Sequence, residues 1–385
     1  MRSKQQVHIE TLSLDQAIIE ASRCLVCHDA PCEQACPAGV RVSTFIRRMR
    51  FGDFGGALRK IIQSNILAAT CGMTCPRGEL CEEACLLNAI GSGIRIRDLQ
   101  LAAYRFGKDG LLPSTETRVR GRVAIIGSGP AGIACAYALK RVGIEPVVFE
   151  KRDEVGGLLT SAIPSHRLLR AIVREEITYA LRGVRVNKGI DPSQVTFDHL
   201  KSEFDAIFLA TGLWQEVSIP VEGAELASDG FTLLASLAKG EAPLPLKGRI
   251  AVIGGGNTAC DVATCLKLEG ASDVTVFYRR SRADMPAFAH EVAEALLNGV
   301  RFEFNVSPLR IAAEGGRRRL DFVRTKPGKP DASGRATPVA IPGSEFSVEV
   351  DHVVLATGRS ADSTWLETNF GLRLTDGRLK VDDQT

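Results

Sequence analysis

The stretch Val123-Ala124-Ile125-Ile126-Gly127-Ser128-Gly129-Pro130-Ala131-Gly132 decides the fold. Its first four residues are apolar and three are β-branched, which reads as a buried strand. A glycine turn follows, and then the helical pattern Ile133 to Leu139. This is G-x-G-x-x-G in a strand–turn–helix setting. Gly127 permits the tight turn. Gly129 lets backbone N–H groups approach a pyrophosphate, and Ser128, Pro130 and Ala131 complete the cofactor-binding loop. Gly132 lets helix and strand pack closely, and the helix N-terminus favours the phosphate charge. Eighteen residues past Gly132, Val147-Val148-Phe149-Glu150 reads as a second strand ending in an acid suited to ribose hydroxyls.

Downstream the pattern restarts. Ile250-Ala251-Val252-Ile253 runs into Gly254-Gly255-Gly256-Asn257-Thr258-Ala259, a helix, and the strand Val274 to Tyr278. Two dinucleotide folds in tandem follow. The second one's next strand ends in Tyr278-Arg279-Arg280 rather than in an acid. A guanidinium fork suits a 2′-phosphate, so FAD is expected at the first loop and NADPH, in preference to NADH, at the second. Close-approach turns are expected at Gly157-Leu158, at Thr211-Gly212 after the strand Phe204 to Ala210, and at Thr357-Gly358 after the strand His352 to Ala356. Arg317 to Gly343, basic and rich in Pro and Gly, reads as a solvated loop or hairpin insert.

Upstream lies a cysteine-rich unit. Helical patterns are expected from Leu12-Ser13-Leu14-Asp15 into Arg23 and over Val42–Arg50, Phe54–Ser64 and Ile96–Phe106. Between them stand Cys24, Cys27, Cys32 and Cys36, then Cys71, Cys75, Cys81 and Cys85. Soft thiolates so spaced bind zinc or iron–sulfur clusters. Proline follows Cys36 and Cys75, as in ferredoxin-type runs, and a flavin site beside them favours a redox-active group. His28 reads as a bystander. Cys135, Cys260 and Cys265 read as core thiols; on a helix, residues five apart diverge by about 140°, so the last two are not set for a disulfide.

The remaining signals are bounds. The chain has 385 residues, 45% hydrophobic residues and a net charge of +3, giving no electrostatic case for nucleic acid. No apolar run reaches a membrane span. Residues 1–10 hold no signal-peptide apolar core, and a cytoplasmic location is expected. No Ser/His/Asp spacing for hydrolysis is recognisable; Ser165-His166 and His290-Glu291 read as polar pairs.

With these residues in hand, the chain resembles the N-terminal part of dihydropyrimidine dehydrogenase and its bacterial NAD(P)H-oxidising subunit. It is also similar to the small (beta) subunit of glutamate synthase. The resemblance runs from Ala21-Ser22-Arg23-Cys24 to the C-terminus. Cys24-Leu25-Val26-Cys27-His28-Asp29-Ala30-Pro31-Cys32 resembles the pyrimidine-reducing subunit, and Tyr278-Arg279-Arg280 with Met285-Pro286 resembles glutamate synthase. The resemblance implies two 4Fe–4S clusters with interleaved ligands. Cys24, Cys27, Cys32 and Cys85 would hold one. Cys36, Cys75 and Cys81 with Gln100 would hold the other, whereas spacing alone selects Cys71. Ile163-Pro164-Ser165-His166-Arg167-Leu168 implies that Arg167 contacts FAD. Relatives continue past a segment like 379–385 into a Gly-Asp turn that completes the FAD pocket, so either a fragment or a turn from another chain is expected.

The expected architecture is α/β: a helical iron–sulfur domain (1–115), the FAD-binding domain (116–215), the NAD(P)-binding domain (216–355) and a return to the FAD domain (356–385). The expected function is an electron-input subunit, passing electrons from NAD(P)H through FAD and the clusters to an FMN-containing catalytic subunit that reduces a pyrimidine or forms glutamate. A hetro-oligomer without membrane or nucleic acid is implied. The rivals are a self-contained diaphorase with structural clusters and a non-catalytic metal- and nucleotide-binding assembly module.

Overall fold

The computed structural model describes residues 11–111, 119–241, 248–331, 334–375 and 378–379. Its N-terminal unit is helical. Helix Leu14–Ser22 begins at a capping box, in which Ser13 Oγ accepts from Gln16 N and Gln16 Oε1 accepts from Ser13 N. Helix Val42–Arg50 buries Val42, Phe45, Ile46 and Met49, an i, i+3, i+4, i+7 stripe. It packs with Phe54–Ile62 and Ile96–Gly107, and Ala68–Thr74 packs against both of those helices. Phe45, Leu58, Ile61 and Leu99 are fully buried, and each burial contributes roughly 1.5–3 kcal/mol. The same core continues through Ile133, Leu168, Val173 and Ile177 of the next unit, so the helical unit is seated on the first nucleotide fold.

That fold is a parallel sheet in the order Arg185–Asn187, Glu145–Phe149, Arg122–Ile126, Ala206–Leu209, with Ile125 beside Val148 and Phe208. The second is a five-stranded parallel sheet in the order Ser228–Asp229, His352–Leu355, Arg249–Ile253, Asp273–Tyr278, Arg301–Phe304. The chain crosses between the two units twice, side by side: Gln215–Glu216 pairs antiparallel with Arg359–Ser360. Helix Ser363–Phe370 then returns Trp365 and Phe370 to the core of the first fold.

The basic stretch Arg317 to Gly343 falls largely within two long antiparallel strands, Arg317–Pro330 and Ala336–Val350, joined to Val306–Glu314. Alternation explains it. Leu320 and Phe322 point inward, with Phe322 stacked on Phe277 at 4.5 Å, while Arg319 and Arg324 face outward onto Asp321 and Glu303.

Candidate functional site

Thiols from the two sequence groups mix in space. Cys24, Cys27, Cys32 and Cys85 line one pocket whose walls include Ala30, Val42, Ile46, Ile94 and Ile96. Cys85 Sγ accepts from Ile94 N at 3.4 Å, and the Val26 N–H is directed at Cys24. Val26 holds φ +51, a left-handed conformation that costs a β-branched residue strain and persists only where the surroundings enforce it. Burial pushes the thiol of Cys24 up and that of Cys32 up to about 11. Four soft thiols in an apolar wall, with backbone N–H groups aimed at sulfur, form a donor set that suits an iron–sulfur cluster.

Cys36, Cys75 and Cys81 form a second group, in which Cys36 is close enough to oppose ionisation of both Cys75 and Cys81. Burial pushes Cys81 up to about 12. A hydrogen bond from the Cys71 thiol holds Cys75 down, while Cys71 itself is pushed up. Gln100 is buried and its Nε2 donates to Ala68 O at 2.7 Å, at the start of the helix that carries Cys71. Arg97 Nη1 donates to Cys75 O at 2.8 Å, and its buried Nε has no hydrogen-bond partner among the described residues. An orphaned cationic donor beside a thiol group fits an anionic guest. His28 stands with its side chain 95% exposed, its Nδ1 3.0 Å from Asp29 Oδ2.

The first glycine loop opens on a pocket of about 460 Å³, lined by Gly127, Ser128, Gly129, Pro130, Ala131, Glu150, Gly157, Leu158, Thr211, Gly212, Trp214, Asp362 and Trp365. Gly127 has φ +106, and a Cβ there would lie 2.4 Å from Ala210 O. A Cβ on Gly129 would meet nothing within 4 Å; the open space lies at the N-terminus of helix Pro130–Arg141, which has no side-chain cap. Uncapped N–H groups before an empty cradle fit a pyrophosphate. Glu150 is buried. Its Oε2 accepts from Ser128 N at 2.8 Å and Ser128 Oγ at 2.5 Å, and its Oε1 from Arg152 N at 2.9 Å. The acid thus ties the second strand to the glycine turn, a role that its position in sequence did not reveal. A carboxylate offers about four acceptor sites, so capacity for a ribose hydroxyl remains.

The second loop repeats the geometry. Gly256 caps helix Asn257–Leu268 without a side-chain bond, and a Cβ on it would again meet nothing within 4 Å. Gly254 closes on Ala356 O and Gly255 on the ring of Tyr278. Asn257 Oδ1 accepts from Phe288 N at 2.9 Å, and Thr258 is exposed on the first turn. Thr357 Oγ1 donates to Val217 O, and Gly358 O accepts from Val217 N. The two arginines separate. Arg279 is exposed at the strand end. Arg280 is buried, with Nη2 at 2.5 Å from Asp331 and Nε donating to Ala336 O at 2.7 Å. The 317–350 hairpin takes Arg280 because its carboxylate and carbonyl satisfy the buried fork, and Arg279 is the exposed one of the two.

Arg167 has other partners. It does not line the first pocket. Its Nη1 donates to both oxygens of Asp261, and its Nη2 pairs with Glu291. A guanidinium goes where buried carboxylates need it. His166 lies beside this network, its Nε2 3.8 Å from Glu294, and burial lowers it to about 4. Cys260 is buried and Cys135 and Cys265 pack partly into cores; burial pushes Cys260 up to about 12. No sequence motif points to Arg97 or Trp214, because each takes its place from distant segments, and the Ile163–Leu168 pattern names Arg167 without its partners Asp261 and Glu291.

Residues 121–385 match the family model for pyridine nucleotide-disulphide oxidoreductases. The chain belongs to that family. Residues 2–109 of this oxidoreductase match dihydropyrimidine dehydrogenase domain II, 4Fe-4S cluster. The oxidoreductase is 35% identical to the glutamate synthase [NADPH] small chain of Halomonas elongata, over 100% of this chain and 85% of the relative. It is 33% identical to an NAD-dependent dihydropyrimidine dehydrogenase subunit PreT homolog of Salmonella typhi, over 90% and 80%. The chain spans only 57% and 53% of the length of two other curated relatives. Mycobacterium tuberculosis FprA in complex with NADPH shares the fold, with a TM-score of 0.56 at 18% identity over 68% of this chain and 77% of that one. The fold is thus the α/β arrangement expected, a helical 4Fe–4S domain before tandem nucleotide-binding folds. Among the described residues no helix is long and apolar enough to cross a membrane.

Proposed function

We propose that this oxidoreductase is an electron-input module, which takes hydride from NADPH and delivers single electrons to a partner flavoprotein. When bound, nicotinamide, flavin and iron–sulfur groups supply that chemistry; the chain binds them, orients them and excludes water. One observation carries the reading. Four cysteines from two distant sequence groups line one apolar pocket, in a helical unit that shares its core with the first glycine-loop fold. In this reading residues 1–115 hold two 4Fe–4S clusters, through Cys24, Cys27, Cys32 and Cys85 and through Cys36, Cys75, Cys81 and Gln100. Residues 116–215 and 356–385 hold FAD, with Gly127 to Gly132 on the pyrophosphate and Glu150 on the ribose. Residues 216–355 hold NADPH, with Gly254 to Thr258 on the pyrophosphate and Arg279 on the 2′-phosphate.

The partner is an FMN-containing catalytic subunit of the pyrimidine-reducing or glutamate-forming kind, in a cytoplasmic hetero-oligomer. The names of the relatives support the subunit role, since they include a small chain and a dehydrogenase subunit. The test is anaerobic. The iron-reconstituted, FAD-loaded chain should reduce an artificial dye with NADPH and develop electron-spin signals of reduced clusters. Dye reduction without those signals would favour a diaphorase with structural clusters, and neither would leave a non-catalytic assembly module.

A further inference from the structure

Arg97 and Gln100 stand three residues apart on helix Ile96–Gly107, hence on one face. Both are buried, at 8% and 9% exposure, and both reach the Ala68–Cys75 segment: Arg97 Nη1 to Cys75 O and Gln100 Nε2 to Ala68 O. The Arg97 backbone N–H also donates to Glu82 Oε1 at 3.0 Å, next to Cys81. One residue therefore ties together the loops that carry Cys75 and Cys81.

Its charge is poorly compensated. Asp98 Oδ1 is 3.9 Å from Nε, beyond hydrogen-bond reach, while Asp98 Oδ2 is held by Arg95 at 2.6 Å. Both Glu82 oxygens accept from backbone, Oε1 from Arg97 N and Oε2 from Gly78 N. Arg77 adds a further positive charge nearby. Burying a guanidinium with an unpaired Nε costs free energy, and an anion in the second thiol group would offset that cost.

We infer that Arg97 sets the reduction potential of the group held by Cys36, Cys75 and Cys81, keeping a fixed positive charge beside it. The inference rests on the iron–sulfur reading above. Each electron accepted there adds one negative charge beside half-buried thiols, where a buried neighbouring cation is screened less than an exposed one. Arg97 thus raises that potential relative to the Cys24–Cys27–Cys32–Cys85 group and makes one site the better electron acceptor.

The experiment is an anaerobic redox titration of the full FAD-loaded, reconstituted chain, followed by electron-spin resonance, on wild type, Arg97→Lys, Arg97→Gln and Arg97→Met. One of the two cluster midpoints should fall in R97M and R97Q and stay near wild type in R97K, with iron and labile sulfide unchanged and the other midpoint unmoved. Neutral variants with full iron and wild-type midpoints would overturn the inference. So would loss of iron from both neutral variants, which would make Arg97 a structural residue only. Wild-type chain without iron or labile sulfide would instead sink the underlying reading, before any variant is compared.

Discussion

Arg167 Nη1 lies 2.8 and 2.7 Å from the two carboxylate oxygens of Asp261, joining the first nucleotide-binding fold to the second through a buried ion pair. Glu291 completes it from helix Ala289–Leu297, so one cation serves two acids. Replacing Arg167 with methionine leaves both acids buried without their cation. Breaking such a pair costs about 3–5 kcal/mol, and the urea midpoint of R167M should fall accordingly. A midpoint within experimental error of wild type would show that the pair contributes nothing.

Glu176 makes the corresponding link between the flavin-side fold and the helical unit. Its carboxylate accepts from Ala69 N, Thr70 N and Thr70 Oγ at the start of the helix that carries Cys71. Burial raises it from the ordinary 4.5 of a glutamate to about 7, against those donors. A raised folded-state pKa contributes stability that is full below the unfolded value and is lost as pH rises through the folded one. Wild-type stability should therefore decline between about pH 4.5 and 7 through this group. Urea titrations across that window should show a flatter dependence in Glu176→Gln.

Cys71 and Gln100 give opposite outcomes on iron content. With Gln100 as ligand, Cys71→Ser keeps its full iron, while Cys75→Ser loses about half, one of two clusters. Iron and sulfide analysis of the reconstituted variants reads this directly, and an equal loss in C71S would move the ligand to Cys71.

The chain has two tryptophans, and both Trp214 and Trp365 line the pocket at the first glycine loop. FAD titration should therefore quench most of the intrinsic fluorescence, with Trp214→Phe and Trp365→Phe each removing part of the signal. Quenching that survives unchanged in both variants would place the flavin elsewhere.

Arg279 and Arg280 should behave differently. Arg279→Ala should raise the KM for NADPH about 10- to 100-fold, the worth of one hydrogen bond to a charged group, and leave NADH unaffected. Arg280→Ala should lower thermal stability instead, because its fork is spent on Asp331 and Ala336. Steady-state kinetics with both nucleotides, beside thermal melts, separates the two.

Local signals were legible. Helix Val42–Arg50 announced itself through its apolar stripe, and the strands before Gly127 and Gly254 through apolar runs ending in glycine. Those features depend on residues a few positions apart, so the sequence carries them whole. Cysteine spacing stated the ligand type but grouped the thiols by fours; the regrouping of Cys85 with Cys24, Cys27 and Cys32 was implied only by family resemblance. Tertiary packing alone decided that Arg167 spans two folds, that Arg280 turns into a hairpin, that Glu150 braces the glycine turn and that Arg97 is buried beside Cys75. Each of these side chains is long and charged, and such a group settles wherever distant segments offer it a partner inside the protein, information that no window of neighbouring residues contains.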